Sequence, residues 1–294
     1  MRGQVLWILG ASFGLFTSFR AVFPKKFLGA LSVDTPALGR IVLPPMRIVG
    51  TTPTRVQEAL ALHAGRSYAA WAALVANAWQ GIPYGSGGAG LGPEMLLLNL
   101  NQMDCMTAIE NLMALHLAYK ERFLSLEGVA SKLLQVRYKA YPPCRWEDRY
   151  HYLTHAFIEW EKAGYGVWLP LGEKDTHLIR YISQNSKKYR GFRDWELIQE
   201  IEQQLTKRPR YFIPSADIHH WLPALRDGDI VAFVPTEGGL DVSHVGVFLG
   251  KEGRPTFAHA SLVAKKWVID EDLCAYLDRR KEKIRGITVF RPFE

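Results

Sequence analysis

Three residues have the types and placement to do chemistry together: Cys105, His244 and His259. Cys105 lies in "NQMDCMTAIE" directly after Asp104, a good helix N-cap type, so it falls at the first helical position. A thiol there meets the positive end of the helix macrodipole and is expected to have a lowered pKa. Free backbone N–H groups at the same helix start could hold an oxyanion. A small buried cysteine in a core helix explains this stretch equally well. His244 in "DVSHVGVFLG" reads as mid-strand, on the same side as Val242, Gly246 and Phe248 by two-residue alternation. After the turn "GKEGRP", "TFAHASL" puts His259 on a second strand beside Phe257 and Ser261. Paired across a hairpin, one histidine can act as base to a cysteine while the other orients its ring. A single histidine on an apolar strand is more often a core residue. Two, with a cysteine at a helix start, favour catalysis.

Positioning these groups requires helices that precede strands. "TTPTRVQEAL" opens a helix with Thr52 as N-cap and Pro53 at the first position. "SYAAWAALVANAWQG" continues as a second helix ending at Gly81. The Cys105 helix should bury a stripe of Ile109, Leu112, Met113 and Leu117. Residues 120–148 are mixed. "DRYHYLTHAFIEWEKAG" (148–164) is amphipathic, with Leu153, Phe157 and Trp160 on one face and Gly164 at the C-terminal cap, and a further helix is expected near 194–205. From Asp227 the period changes to β-rich runs: "DIVAFVP", "DVSHVGVFLG", "PTFAHASL" and "GITVFRPF". Helices first and strands last predict an α+β domain. The glycine-rich stretch 85–92 lacks the phosphate-loop pattern and reads as a flexible loop whose backbone can approach something closely.

Composition narrows the field. Of 294 residues 48% are hydrophobic, enough for a well-filled core, and the net charge of +7 is spread along the chain. The short basic runs 186–193, 206–210 and 278–285 read as solvated faces without a nucleic-acid motif. A mildly basic surface also suits an anionic polymer such as peptidoglycan. Three cysteines give neither a disulfide framework nor C-x-x-C zinc spacing; Cys144 and Cys274 read as bystanders. His151 and His155 are spaced i, i+4 but lack the H-E-x-x-H glutamate, so metal binding is not the favoured reading. His219 and His220 read as loop residues, and "DGD" at 227–229 as a turn before a strand. Residues 1–21 suit an export signal or an N-terminal anchor, followed by an irregular arm over 22–50.

The combination of "GIPYG…DCMTAIE", "RPRYFIPSADI", "LRDGDIVAFVPTEGGLDVSHVGVFLG" and "FAHAS" resembles the NlpC/P60 papain-like cysteine peptidases, nearest their DUF1460, N-acetylmuramoyl-L-alanine amidase-like branch. The resemblance runs roughly from residue 70 to the C-terminus, and "DRYHYLTHAFIEW" adds that branch's Arg-x-His-Tyr helix. It implies one catalytic domain over 51–294 with a helical insertion about 120–210. A helix carrying Cys105 would pack on an antiparallel sheet that carries both histidines. It implies Cys105 as nucleophile, His244 as general base, His259 as its orienting partner and Tyr84 beside the nucleophile. Asp104, Arg149, His151, Asp241 and Ser243 would line or shape the pocket. The implied substrate is peptidoglycan or a muropeptide, with no metal, cofactor or nucleic acid. The implied setting is the periplasm or cell envelope, without stable membrane association unless the N-terminal segment is uncleaved. The glycine-rich 85–92 loop and Tyr150, where a leucine is expected, depart from the pattern. A γ-D-glutamyl peptidase, an acyltransferase on the same scaffold and a catalytically silent wall-binding module remain the alternatives.

Overall fold

The computed structural model describes residues 5–8, 46–85, 94–139, 145–189, 193–251, 253–270 and 272–294. Strands β1 (Val5–Ile8), β2 (Met46–Val49) and β3 (Leu96–Leu98) form a small sheet in that order, β1 antiparallel and β3 parallel to β2. The remainder of the expected leader and arm, Cys144 and nearly all of the 85–92 loop lie outside the described residues.

Helix α1 (Thr52–Leu62) begins one residue earlier than expected, with Thr51 at the N-cap. Thr52 is inside the helix because its hydroxyl is engaged elsewhere, accepting from the Leu100 N–H at 2.9 Å. Helix α2 (Tyr68–Ala78) is capped by Ser67, whose hydroxyl accepts from the Ala70 N–H. Helix α3 (Cys105–Lys120) starts at the cysteine. It has no stripe: every residue from Thr107 to Ala118 is buried, because α1, α4 (Leu126–Arg137) and the large sheet close around it. Sequence reading left α4 unassigned since its buried Lys132 and Arg137 obscure the apolar period. Arg137 is inside because its Nε donates to Glu110 of α3 at 2.7 Å.

The helix expected over 148–164 is shorter, α5 (Leu153–Lys162), with Leu153, Phe157 and Trp160 all buried and Gly164 at φ +74° after its end. Strands β4 (Gly166–Leu169) and β5 (Glu173–Asp175), the short α6 (Tyr181–Gln184), α7 (Trp195–Lys207, capped by Asp194), β6 (Arg210–Pro214) and the short α8 (Ile218–Trp221) follow. Then come β7 (Ile230–Pro235), β8 (His244–Lys251), β9 (Arg254–Ser261), β10 (Lys266–Asp270), α9 (Leu273–Asp278) and β11 (Ile284–Pro292). The large sheet runs β10-β9-β8-β7-β11-β6-β5, with β4 also paired to β11; every pairing is antiparallel. Strands β7 to β10 pair in chain order, and β11 returns to pair beside β7.

The pleat divides the core in two. Val245, Val247, Leu249, Ala258 and Ala260 pack toward α3, while Phe233, Phe248 and Phe257 pack toward α9. Val242, expected on the His244 side, instead packs with the α3 core, because β8 begins only at His244. Among the described residues no helix is long and apolar enough to cross a membrane.

Candidate active site

Asp104 and Thr107 form a reciprocal cap at the start of α3. Asp104 Oδ1 accepts from the Thr107 N–H at 2.8 Å, and the Asp104 N–H donates to Thr107 Oγ1 at 3.0 Å. This fixes Cys105 as the first helical residue, partly exposed, with the backbone N–H groups of Cys105, Met106 and Val245 directed at its sulphur. The ladder between β8 and β9 covers only Val247↔Ala258 to Lys251↔Arg254. The Val245 N–H thus belongs to no described β8–β9 pair and is available to the thiol.

His244 is the first residue of β8, not a mid-strand residue, and stands at the open end of that ladder. Continuing the register would set His259 against Gly246, so the two histidines are diagonal rather than directly opposite. Nonetheless their rings meet, His244 Nε2 lying 2.7 Å from His259 Nδ1 with the planes at 84°. Gly246 makes room. A Cβ there would sit 2.6 Å from the Ala258 carbonyl oxygen and 3.1 Å from His259 Cβ. Phe233 stacks on His244 and Phe257 on His259. Beyond them, His259 Nε2 is buried without a hydrogen-bond partner, 3.9 Å from Asp270 Oδ2.

Electrostatics departs from the expected lowered thiol pKa. Burial pushes the Cys105 thiol up to about 12, with the Asp104 carboxylate adding to the rise and the backbone N–H groups offsetting only part of it. Burial also pulls His244 down to about 4, helped by the Arg280 cation. His259 falls to about 3 through burial, His244 and Arg280. At rest the Cys105 thiol and both imidazoles are therefore neutral. Desolvation outweighs the helix dipole, whose contribution fades within the first turn.

The other sequence candidates divide into two groups. Tyr84 sits beside the thiol: its N–H donates to the Lys265 carbonyl, its backbone bridges to Met103, and its hydroxyl is pushed up to about 12 by burial, then by Cys105 and Asp104. Ser243 is exposed next to His244, and its N–H and hydroxyl both donate to the Phe233 carbonyl. Arg149, His151 and Asp241, by contrast, belong to the frame around α5. Arg149 is bound to Glu94 at 2.7 Å and laid on Trp146, and His151 Nε2 meets the Trp146 carbonyl at 2.6 Å. Asp241 is buried and accepts from the Thr154 N–H at 2.7 Å, tying the segment before His244 to the first turn of α5. Burial raises its pKa, an effect its backbone N–H donors oppose.

Elsewhere, His155 packs edge-on against Tyr150. His219 is helical rather than in a loop, 3.7 Å from the Cys274 thiol. Among the described residues no group of three or more histidine, cysteine or acidic side chains could hold a metal ion. Asp229 of "DGD" is a buried partner of Arg291. Sequence reasoning missed Gly246, Asp270, Tyr276 and Arg280. The "SHVGV" spacing carried a signal for the first; the others reach the histidines only through tertiary packing.

The family model described as AmiA-like, N-acetylmuramoyl-L-alanine amidase-like, matches residues 74–287, and the chain belongs to this family. An N-acetylmuramoyl-L-alanine amidase from Bacteroides uniformis superposes with a TM-score of 0.70 at 24% identity, covering 82% of this chain and 100% of that one. A DUF1460 protein from Legionella pneumophila superposes at 0.66 with 18% identity, covering 83% and 95%. These likenesses show the shared fold, a mixed α/β arrangement around an antiparallel sheet. No curated protein matches this chain.

Proposed function

We propose that this protein is a thiol-dependent amidase of the NlpC/P60 papain-like type that hydrolyses the amide between the muramoyl lactyl group and L-alanine in peptidoglycan or its fragments. The observation that carries the reading is the convergence at one strand start of the Cys105 sulphur, the Val245 N–H and the hydrogen-bonded His244–His259 pair. Family membership and the similarly folded amidase support the choice of bond.

The chemistry follows from the neutral resting thiol and imidazole. As the sulphur attacks the lactyl carbonyl carbon, the thiol proton passes to His244, so no thiolate need accumulate beforehand. The Cys105 N–H at the helix start donates to the oxygen of the tetrahedral intermediate. With Nε2–H of His244 donated to His259 Nδ1, His244 Nδ1 is the nitrogen that receives the proton. His244 then gives it to the alanine nitrogen as the C–N bond breaks, leaving a thioester on Cys105. Water, deprotonated by His244, releases the muramic acid carboxylate and restores the thiol. Export to the cell envelope completes the proposal, since the substrate is found there.

Incubation with defined disaccharide-peptides tests it by mass. A free disaccharide with an intact stem peptide is expected, and none should form with Cys105→Ala. Cleavage within the stem would instead identify a peptidase.

A further inference from the structure

Arg280 follows α9 and lays its guanidinium carbon 3.9 Å from the ring centre of Tyr276. Tyr276 is buried and packs edge-on to His259 with ring centres 5.7 Å apart; it also touches Phe233 and Phe257, the rings that support the histidine pair. Arg280 is therefore part of the same sheet face as the candidate catalytic histidines, one aromatic ring away.

Its charge is unmet beside the candidate site, whereas the arginines buried in the frame are paired. Arg137, Arg149, Arg210 and Arg291 each bind a carboxylate: Glu110, Glu94, Asp175 and Asp229. Among the described residues the half-buried Arg280 guanidinium has neither an ion pair nor a hydrogen bond, and the nearby Asp270 is instead approached by Arg279 at 3.6 Å. An uncompensated cation at this position works against any step that charges His244, because both histidines are held low partly by it. That cost disappears once an anion neutralises Arg280. A planar guanidinium fork held over an aromatic ring is well suited to a bidentate carboxylate.

We propose that Arg280, laid on Tyr276, is a substrate-binding residue that receives a carboxylate of the stem peptide. The inference rests on the amidase reading above and adds a recognition element to it. The α-carboxylate of the second stem residue fits the requirement. It lies within two residues of the scissile amide, about 7 Å of extended chain. Its arrival would place a negative charge beside the histidines just when His244 must carry a proton.

The experiment is equilibrium binding by calorimetry to the full chain carrying Cys105→Ala, which prevents turnover. The probes are a muramoyl dipeptide with a free α-carboxylate on its second residue and the same molecule amidated at that group. The acid should bind about 10–100-fold more tightly, within the range of a charge-assisted hydrogen-bonded pair. Arg280→Gln keeps a planar group on the Tyr276 ring without the charge, and should bind both probes with the affinity of the amide. Arg280→Lys, which retains charge but not the fork, should keep a reduced preference for the acid. Equal affinity for the two probes in the Cys105→Ala protein, or a preference that survives Arg280→Gln, would overturn the proposal. Cleavage of the acid form by the wild type is scored separately. Preference without cleavage upholds the carboxylate site and counts against the amidase, whereas cleavage without preference does the opposite.

Discussion

Among the described residues two histidine pairs are hydrogen-bonded, and one of them lies at the strand start that meets the Cys105 thiol. His244 and His259 meet at 2.7 Å, and His63 and His116 meet at 3.0 Å. Burial pulls His116 and His244 to about 4, His259 to about 3, and His63 also downward. Neither the hydrogen bond nor the titration distinguishes the pairs. Their surroundings do. His63 is clamped between Trp71 and Tyr119 at ring distances of 4.6 and 3.9 Å. His116 Nε2 must donate to the Phe293 carbonyl at 2.8 Å, so its Nδ1 accepts from His63, and the proton order of that pair is fixed. The His259 end of the other pair meets no such permanent acceptor, only Asp270 at 3.9 Å, and its His244 end is at the start of β8, one residue before the Val245 N–H that meets the thiol. Each pair leaves one outer ring nitrogen without a hydrogen-bond partner, His63 Nδ1 and His259 Nε2. The His244–His259 pair stands at the strand start whose Val245 N–H meets the thiol, so it is the one placed to exchange a proton there.

The widest separation between the pairs should come from alanine substitutions measured for both turnover and unfolding. Cys105→Ala and His244→Ala should each reduce kcat by about 10⁶-fold with little loss of stability, as when a nucleophile or its base is removed. His63→Ala and His116→Ala should leave kcat within a few-fold while lowering unfolding free energy by about 1–3 kcal/mol. A large activity loss at His116 without destabilisation would erase the distinction. Within the active pair, His259→Ala should cost on the order of 10²–10⁴-fold, less than His244→Ala, as for an orienting member. The reverse ranking would exchange their roles.

Stability against pH sharpens what the pairs share. Each histidine has a folded pKa below its usual 6.5, so the unfolded chain binds more protons in acid. Their contribution is complete above pH 6.5 and is lost as pH falls toward about 4, roughly 3 kcal/mol for His116 alone. Denaturant midpoints that stay constant from pH 7 to 4.5 would contradict this. For the thiol, alkylation of Cys105 without substrate should keep accelerating above pH 9, following its raised pKa, and outpace the buried Cys274. A plateau near neutrality would mean that a thiolate–imidazolium pair already exists at rest. Asp270→Asn, the mildest change, should lower kcat about tenfold by removing the carboxylate charge that lies 3.9 Å from His259 Nε2. No effect would place His259 Nε2 outside the proton path.

Local signals were enough for much of this. Asp104 before Cys105 located the helix start because an N-cap is satisfied within one turn, and the β-rich runs "DIVAFVP" and "TFAHASL" between turn signals located β7 and β9 because β-branched and aromatic residues favour strands. The helix over 126–137 was not legible, since its buried lysine and arginine make sense only beside Glu121 and Glu110. The same limit applied to Arg149, His151 and Asp241. The resemblance placed them where they would shape the pocket, and the contacts that their polar atoms make, tying α5 and neighbouring loops together, come from the fold. By itself, then, the sequence determined which thiol stands at a helix start and which histidines share a hairpin, because those are properties of short windows. Tertiary structure alone decided that the thiol is desolvated to a neutral state, that His63 and His116 also meet, and that Arg280 faces the histidines through Tyr276. Burial and charge at a point depend on everything packed around it, and those neighbours come from distant parts of the chain.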